Sequence, residues 1–575
     1  MNVNASMIVS RGGLLILLGL LAGCASDYAK PYPLLSPSEM GRIQEADSID
    51  EYQLLSEPVP LSEFQASELP IQSDFELPPL LAREQSITEV SLGLSRVRDS
   101  VLQNNLGITV DRYQAEVESQ QIGEELGAFD ATFSVALYYG QQVEGATSLV
   151  DPTGSIETDA FSVSPGLQVP LSTGGELEIE MNLYNYQQLA NDVSTISPSA
   201  NEEVSGQEAQ LSFSFTQPLL RGAGSTVALA PIVLADYSSR QAAAGVTLQI
   251  INTLADAERS YWRTWVAHQQ FESAYQVYEE AKQQLEMTRR LYEGQQATIV
   301  DVRQAQASVL TQASYVIGFE EEYVSSSLLL QTFMNDPDLS LDGGCLVLPL
   351  EQPQFRPFVA DSSRAIRYAM AHRMDLLQLE LQVAADTLEI AVAKNTLLPD
   401  VVLAAEVGAI GITSGGLGNA VDDMFNGSQA VPWSLGLSAS MPIGNNTATS
   451  AYRAALLQRL GDIANVNQQR MTIRKDVLTA LTALETSARQ LRVAHQAETA
   501  YRKAWQGTVE LFLLGGQTAG DVADALEHYG ESRFSTIAAA GDYQTALVAL
   551  AMSTGTTLGM NNIEWRPPPV PVDSD

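Results

Sequence analysis

The chain has 575 residues, 45% hydrophobic and 17% charged, with ordinary numbers of glycine (40) and proline (25). That composition is too apolar for a disordered polymer, so the chain folds, either as several domains or as one internally duplicated architecture. Lys plus Arg number 31 against 69 Asp plus Glu, a formal charge of −38, which argues against nucleic acid as a partner and mildly favours cationic solutes.

The N-terminus carries Arg11, then the apolar run LLILLGLLAG, then Cys24. A run this short, ending on small residues, reads as a secretory signal over 1–23 and not as a membrane span. LAGC at 21–24 resembles the bacterial lipobox. The resemblance implies cleavage before Cys24 and a covalent lipid on it, and Ala25-Ser26 resembles the outer-membrane sorting pattern. Several acyl chains anchor stably, at about 0.8 kcal/mol per buried methylene. The second cysteine, Cys345, is expected as a small buried hydrophobe. No later stretch is a run of eighteen apolar residues, so a membrane role would have to come from strands.

Residues 24–85, rich in Pro, Ser and Glu, predict an extended linker. From Ser86 the spacing of Val97, Val101, Leu102, Ile108, Tyr113 and Ile122 predicts a helix of about forty residues, bent at Gly107 and ending near Gly127. FDATFSVALYYG then alternates as a half-buried strand does. The same order returns at 362–412, with Asp130 opposite Asp400 and Leu106 opposite Leu376. LSFSFTQPLLRG at 211–222 likewise answers LGLSASMPIGNN at 435–446, with Pro218 opposite Pro442. The chain therefore reads as a duplication, with repeats at 86–334 and 362–556, a mixed segment at 335–361 and a tail at 557–575. Each repeat holds a long helical stretch, near 225–291 and 448–512, that would reach on the order of 100 Å. Asp130 to Pro218 spans 88 residues but Asp400 to Pro442 only 42. The surplus, alternating around Ser172-Thr173-Gly174-Gly175, predicts an inserted β-hairpin at about 142–205, either projecting or joining the sheet.

Each long helix runs into a glycine-broken stretch and returns as a shorter helix. The two stretches are LYEGQQATIVDVRQA from Leu291 and LFLLGGQTAGDVADA from Leu511. Glycine supplies the open backbone that ends one helix before an antiparallel one begins, so both read as helix-turn-helix tips.

Helix, strand, strand, long helix, shorter helix, twice over, resembles the TolC-like outer membrane efflux family over nearly everything after residue 86. The lipobox, NNLGI with GAFD at 104–130, QPLLRGAG at 217–224, HRMDLL with LLPD at 372–400 and the two tips carry the resemblance. It implies a mainly α fold with a membrane β-barrel: a homotrimer with an α-barrel tunnel through the periplasm and a shared barrel in outer-membrane lipid. Independently, four short strands per chain cannot close a barrel, and an open edge in lipid leaves backbone groups unpaired. In the family the second tip carries aspartates that ring a periplasmic gate. The matching residues are Gly515, Gln517, Asp521, Val522 and Asp524, with Asp301 at the first tip. Asp521 and Asp524 at i and i+3 share one helical face, so three chains would bring six carboxylates together, attracting cations and raising some proton affinities; the bland alternative is two solvated acids at a helix N-terminus. Gln517 stands where first-described members have a latching arginine, leaving Arg303 or Arg289-Arg290 as cationic partners for Asp301, or else a latch of neutral hydrogen bonds. Tips near Gly294, Val302, Gly515, Gly516 and Val522 would dock a periplasmic adaptor joined to an inner-membrane transporter. The function implied is the exit duct of a tripartite efflux system for small molecules. The alternatives are the outer component of a type I polypeptide secretion system and a non-porous periplasmic coiled-coil scaffold.

No catalytic pattern is visible, so no enzyme is expected. His268, His372, His495 and His528 lie in helical stretches without metal-ligand spacing, and no cofactor beyond the Cys24 lipid is implied. Tyr261, Trp262 and Trp265 read as packing or interface aromatics.

Overall fold

The structure is a computed structural model that describes residues 88–145, 155–191, 202–339, 344–355, 361–427 and 431–560. The signal, Cys24, the linker and the last residues of the tail lie outside them. The chain begins with β1 (Thr88–Leu92), α1 (Leu94–Asn104) and α2 (Leu106–Leu126). The expected long helix is thus two, and the break falls at Asn105, not Gly107. Asn105 takes an extended backbone and its side chain accepts from Ile108 N–H at 3.1 Å, capping α2 while ending α1. Short polar side chains favour such caps.

Strands β2 (Thr132–Gly145), β3 (Ser155–Pro170), β4 (Glu176–Asn191) and β5 (Glu202–Pro218) follow. One turn at Ser225–Ala228 leads to α3 (Ala230–Glu293), which returns as α4 (Ile299–Met334). The middle of the chain contributes β6 (Cys345–Pro349), parallel to β1. Cys345 begins that strand, half-buried rather than in the core. The second repeat runs α5 (Ser362–His372), α6 (Met374–Asn395), β7 (Asp400–Thr413), α7 (Leu417–Asn426), β8 (Trp433–Ser440), α8 (Asn446–Leu513) and α9 (Ala519–Thr554). At about 1.5 Å per residue, α3 with 64 residues and α8 with 68 each extend on the order of 100 Å.

Two helical hairpins, α3–α4 and α8–α9, pack side by side. Between them sit Val277, Tyr278, Val302, Val309, Leu526 and Tyr529, with Trp505 stacked on Tyr529 at 5.4 Å. A second core gathers α1, α3 and the β1–β6 pair around Tyr261, Trp262 and Trp265, which are packing residues at 0–6% exposure. There the Tyr261 hydroxyl donates to Glu351, whose other oxygen accepts from Leu94 N–H at 2.8 Å and so caps α1. In the second repeat Arg373 ends α5 and ties it to α8, donating to Asp375 at 3.0 Å and Asp476 at 3.1 Å.

The inserted hairpin joins the sheet. Six strands form one antiparallel sheet in the order β2-β3-β4-β5-β7-β8, and the tight turn lies at Leu171–Gly175, where Gly174 takes φ +83°. The register keeps odd residues opposite odd throughout, as in Leu137↔Val163, Leu183↔Ala209, Leu211↔Ala409 and Val407↔Trp433. All odd positions therefore share one face. That face is apolar next to the helical end, with Phe133, Leu137, Leu177, Phe213, Val407 and Leu435 among its members. The opposite face carries mostly Ser, Thr, Gly, Gln and Glu, with Tyr138, Tyr184 and Tyr186 among them. Helix α7, which the sequence reading missed, rests on the apolar face. Its Ala420 and Met424 cover Ala209, and Gly411 passes so close that a Cβ would meet Ala420 O at 2.0 Å.

Candidate functional site

The two tips are one turn used twice. In the first, Gly294, Gln295 and Gln296 N–H donate to Arg290, Tyr292 and Leu291 O at 3.0, 2.9 and 2.8 Å. In the second, Leu514, Gly515 and Gly516 make the matching bonds to Glu510, Phe512 and Leu511 O at 3.3, 3.0 and 2.9 Å. Gly294 therefore corresponds to Leu514, and the glycines of the two stretches are not equivalent. The left-handed position is Gly515 (φ +75°) in one tip and Gln295 (φ +59°) in the other.

The returning helices start in identical capping boxes. Thr298 Oγ1 accepts from Asp301 N–H at 3.2 Å, while Asp301 Oδ2 accepts from the Thr298 N–H at 2.8 Å and hydroxyl at 2.6 Å. Thr518 and Asp521 repeat this at 3.2, 2.8 and 2.7 Å. Sequence reading singled out the aspartates and missed the threonines, although Thr-x-x-Asp before a helical run is a legible capping signal in both ATIVD and TAGD. These bonds favour the ionised carboxylates. Asp301 is held below the usual carboxylate range chiefly by the Thr298 hydroxyl, and Asp521 chiefly by the Thr518 backbone N–H.

Asp301 does one thing more. Its Oδ1 accepts from Ala519 N–H at 3.3 Å, linking the first tip to the N-terminus of α9. The partners of this carboxylate are neutral hydroxyl and amide groups, not Arg289, Arg290 or Arg303. Arg290 pairs with Glu286 at 3.2 Å, and Arg303 donates to Gln306 at 3.1 Å. Gln517 is exposed, and Asp524 is exposed one turn beyond Asp521. Gly294, Gly515 and Gly516 are exposed as well, but Val302 and Val522, grouped with them as docking residues, are both fully buried. Val522 packs with Phe512 and Ala519 against Met287, Leu291 and Trp505. These two valines hold the tips together and offer no surface to a partner.

Such a site can hold, part or pass; it has no nucleophile and base in register. Among the described residues no cluster of three or more His, Cys, Asp or Glu could bind a metal, and no helix is long and apolar enough to cross a membrane. His268 packs on Tyr323 at 5.0 Å and His372 stacks on Tyr368 at 5.2 Å. His495 and His528 lie beside Glu498 and Glu531 on helix surfaces.

Residues 365–556 match the family model described as outer membrane efflux protein. No curated protein matches the chain by sequence. Among solved structures, the outer-membrane channel OprN is 15% identical with a TM-score of 0.58, over 80% of this chain and 90% of that one. CmeC, an outer membrane channel of Campylobacter jejuni, is 13% identical with a TM-score of 0.57, over 81% and 86%. VceC, an outer membrane protein of Vibrio cholerae, is 14% identical with a TM-score of 0.55, over 80% and 96%. Family model, element order and paired tips lead to one conclusion: residues 365–556 are similar to the outer membrane efflux protein family, and the chain has the fold of the TolC-like outer-membrane channels, which are not enzymes.

Proposed function

We propose that this chain is the outer-membrane exit duct of a tripartite efflux system, exporting small molecules as a homotrimer anchored by lipid on Cys24. The two-faced sheet with open ends carries the reading. Its outermost strands, β2 and β8, each pair on one side only among the described residues, and its odd face is apolar. An open edge in lipid strands backbone donors and acceptors at several kcal/mol each, so the sheet is satisfied only when copies join edge to edge into a closed barrel. Strands β2 and β8 run in opposite senses, which lets β8 of one copy continue antiparallel into β2 of the next. The long helices bear matching unpartnered apolar faces, including Leu106, Val110, Tyr113 and Val117 on α2 and Leu457, Leu460 and Met471 on α8. Each of these is more than half exposed in the single chain, as a surface awaiting a second copy would be. A non-porous scaffold would have no use for a membrane-facing sheet wall.

In this reading the tips are the closed periplasmic end, and the Asp301 to Ala519 bond, a carboxylate accepting from a backbone N–H without an arginine, is the latch between the two hairpins of each protomer. An adaptor linked to an inner-membrane pump docks on the exposed turn residues around Gly294 and Gly515, parts the hairpins and brings Asp524 to the rim of the mouth. Planar-bilayer recording tests this. Asp301→Asn keeps a capping oxygen but weakens the charge-assisted bonds, and is expected to raise the open probability of purified trimers while Gln517→Ala leaves it unchanged. Trimers that never conduct, in the wild type or in Asp301→Asn, would sink the channel reading.

A further inference from the structure

The structure assigns the inserted hairpin β3–β4 a role in substrate size. We propose that it widens the shared barrel from twelve to eighteen strands, giving a water-filled lumen that admits bulky hydrophilic solutes, so that the size limit of the duct lies at the helical tips. This rests on the trimeric-barrel reading. Stripped of the hairpin, each chain would contribute β2, β5, β7 and β8, the strands that the duplication accounts for, and three copies would make twelve. The hairpin is no flap laid on that set. It is spliced into its middle, β3 paired with β2 from Gln168↔Thr132 to Ser155↔Gly145 and β4 paired with β5 from Glu176↔Thr216 to Ala190↔Glu202. Three copies of a six-stranded sheet make eighteen, and the even strand number preserves antiparallel closure.

Barrel diameter grows roughly linearly with strand number, so the cylinder is about half as wide again, in the range where porins keep an aqueous channel. The face that would line it is built to stay open. It carries Ser134, Ser162, Gly166, Ser212, Gly408 and Gly436 across five of the six strands, with glutamates among them and the bulkier Tyr138, Tyr184 and Tyr186 only towards its outer end. A barrel packed solid needs bulky inward residues instead. Helix α7, the one element lying on the sheet among the described residues, covers the odd face and so leaves the lumen clear.

The strands also outrun the membrane. On the odd face the apolar run ends at Tyr139, Phe161, Leu183 and Ala209, and beyond it come Gln141, Asp159, Asn185 and Gln207. A crossing needs about 9–11 residues, whereas β3 has 16, β4 16 and β5 17. The hairpin therefore continues the wall past the lipid as a polar rim.

Cysteine accessibility in full-length protein, reconstituted in vesicles on a Cys345→Ser background, tests the proposal. Ser212→Cys (lumen face) and Phe213→Cys (lipid face, clear of α7) are treated with a small maleimide and with the same maleimide on a bulky polyethylene glycol. The expected result is that Ser212→Cys reacts with both reagents, and that removing 146–201, so that β2 leads directly into β5, slows the polymer reagent by more than roughly tenfold while sparing the small one. If full-length Ser212→Cys admits only the small reagent, the widening is wrong although the barrel stands. If Phe213→Cys and Ser212→Cys react alike with both reagents, the wall has no lipid face and the barrel reading itself fails. Should the shortened chain not assemble, the full-length polymer measurement still decides.

Discussion

Gln295 holds a left-handed backbone at φ +59° in a turn whose counterpart uses Gly515 at φ +75°. An L side chain there costs roughly 1 kcal/mol or more, a cost that glycine avoids. Two substitutions should therefore move in opposite directions: Gln295→Gly raises the unfolding midpoint of the detergent-solubilised protein, and Gly515→Ala lowers it, each by about 1 kcal/mol. Equal shifts of the same sign would show that the two turns are not equivalent. The tip was half legible at this scale. Its glycines and aspartates stand out in the sequence, but which residue takes the left-handed position depends on the helix register on both sides, and Gly294 falls one place before the counterpart of Gly515. The fate of Asp301 was not legible at all, because its bond to Ala519 N–H joins residues 218 apart.

Among the elements, the contact between α6 and α8 contains a pair of acids no repeat pattern disclosed. Asp386 is 1% exposed and Asp462 7%, and their carboxyls face each other. Gln382 donates to Asp386 at 3.1 Å, while Gln458 and Asn465 donate to Asp462 at 2.8 and 3.0 Å. The remaining oxygen of Asp386 has no hydrogen-bond partner among the described residues. Burial, and after it the neighbouring Asp462, raises its pKa above the usual carboxylate range. Arg459 of α8 opposes the shift only in part, its Nε donating to Thr387 at 3.0 Å. A raised folded-state pKa means that the fold disfavours the carboxylate. The penalty is fully present above the folded-state pKa and fades as pH falls towards the unfolded value. Asp386→Asn is accordingly expected to raise the unfolding midpoint at neutral pH and to lose that advantage in acid, followed by melting curves across pH. An equal gain at every pH would remove ionisation as its cause. The long helices, in contrast, were plain from the sequence, since dozens of residues without Pro or Gly leave little else. Their lengths held a surprise: α3 is the shorter, with 64 residues against 68, because the first repeat spends residues on the turns between Pro218 and Ala230.

For the molecule as a whole, charge is distributed as sharply as hydrophobicity. From Tyr113 to Leu220 and from Asn395 to Tyr452 there is no Lys or Arg, so the strands bring carboxylates but no cation of their own, and Arg221 just beyond β5 pairs only with Asp400 at the helical end. Glu176, Glu178, Glu180, Glu208 and Glu406 all fall on the even face. A lumen walled by one sign of charge concentrates counter-ions at low ionic strength and loses the effect as salt screens it over about 10 Å at 0.1 M. With Ser212→Cys as reporter, a cationic methanethiosulfonate should react faster than its anionic analogue, and the ratio should fall towards one in high salt and in a Glu178→Gln, Glu180→Gln background. A ratio indifferent to both would place these acids away from the solute path.

The sequence by itself determined the duplication, the long helices, the tips and the alternation of the strands, because each is written in local period and in residues that stop a helix or bend a chain. Tertiary structure alone decided where the inserted hairpin goes, which tip residues are buried and what the tip aspartates touch. Strand order is fixed by pairing between residues far apart in the chain, which period does not encode. Val302 and Val522 look the same as any helical valine until the neighbouring hairpin covers them. Asp301 and Asp521 began as two matching acids beside a turn. Folding gives both a capping threonine and gives Asp301 alone a bond across to the other tip.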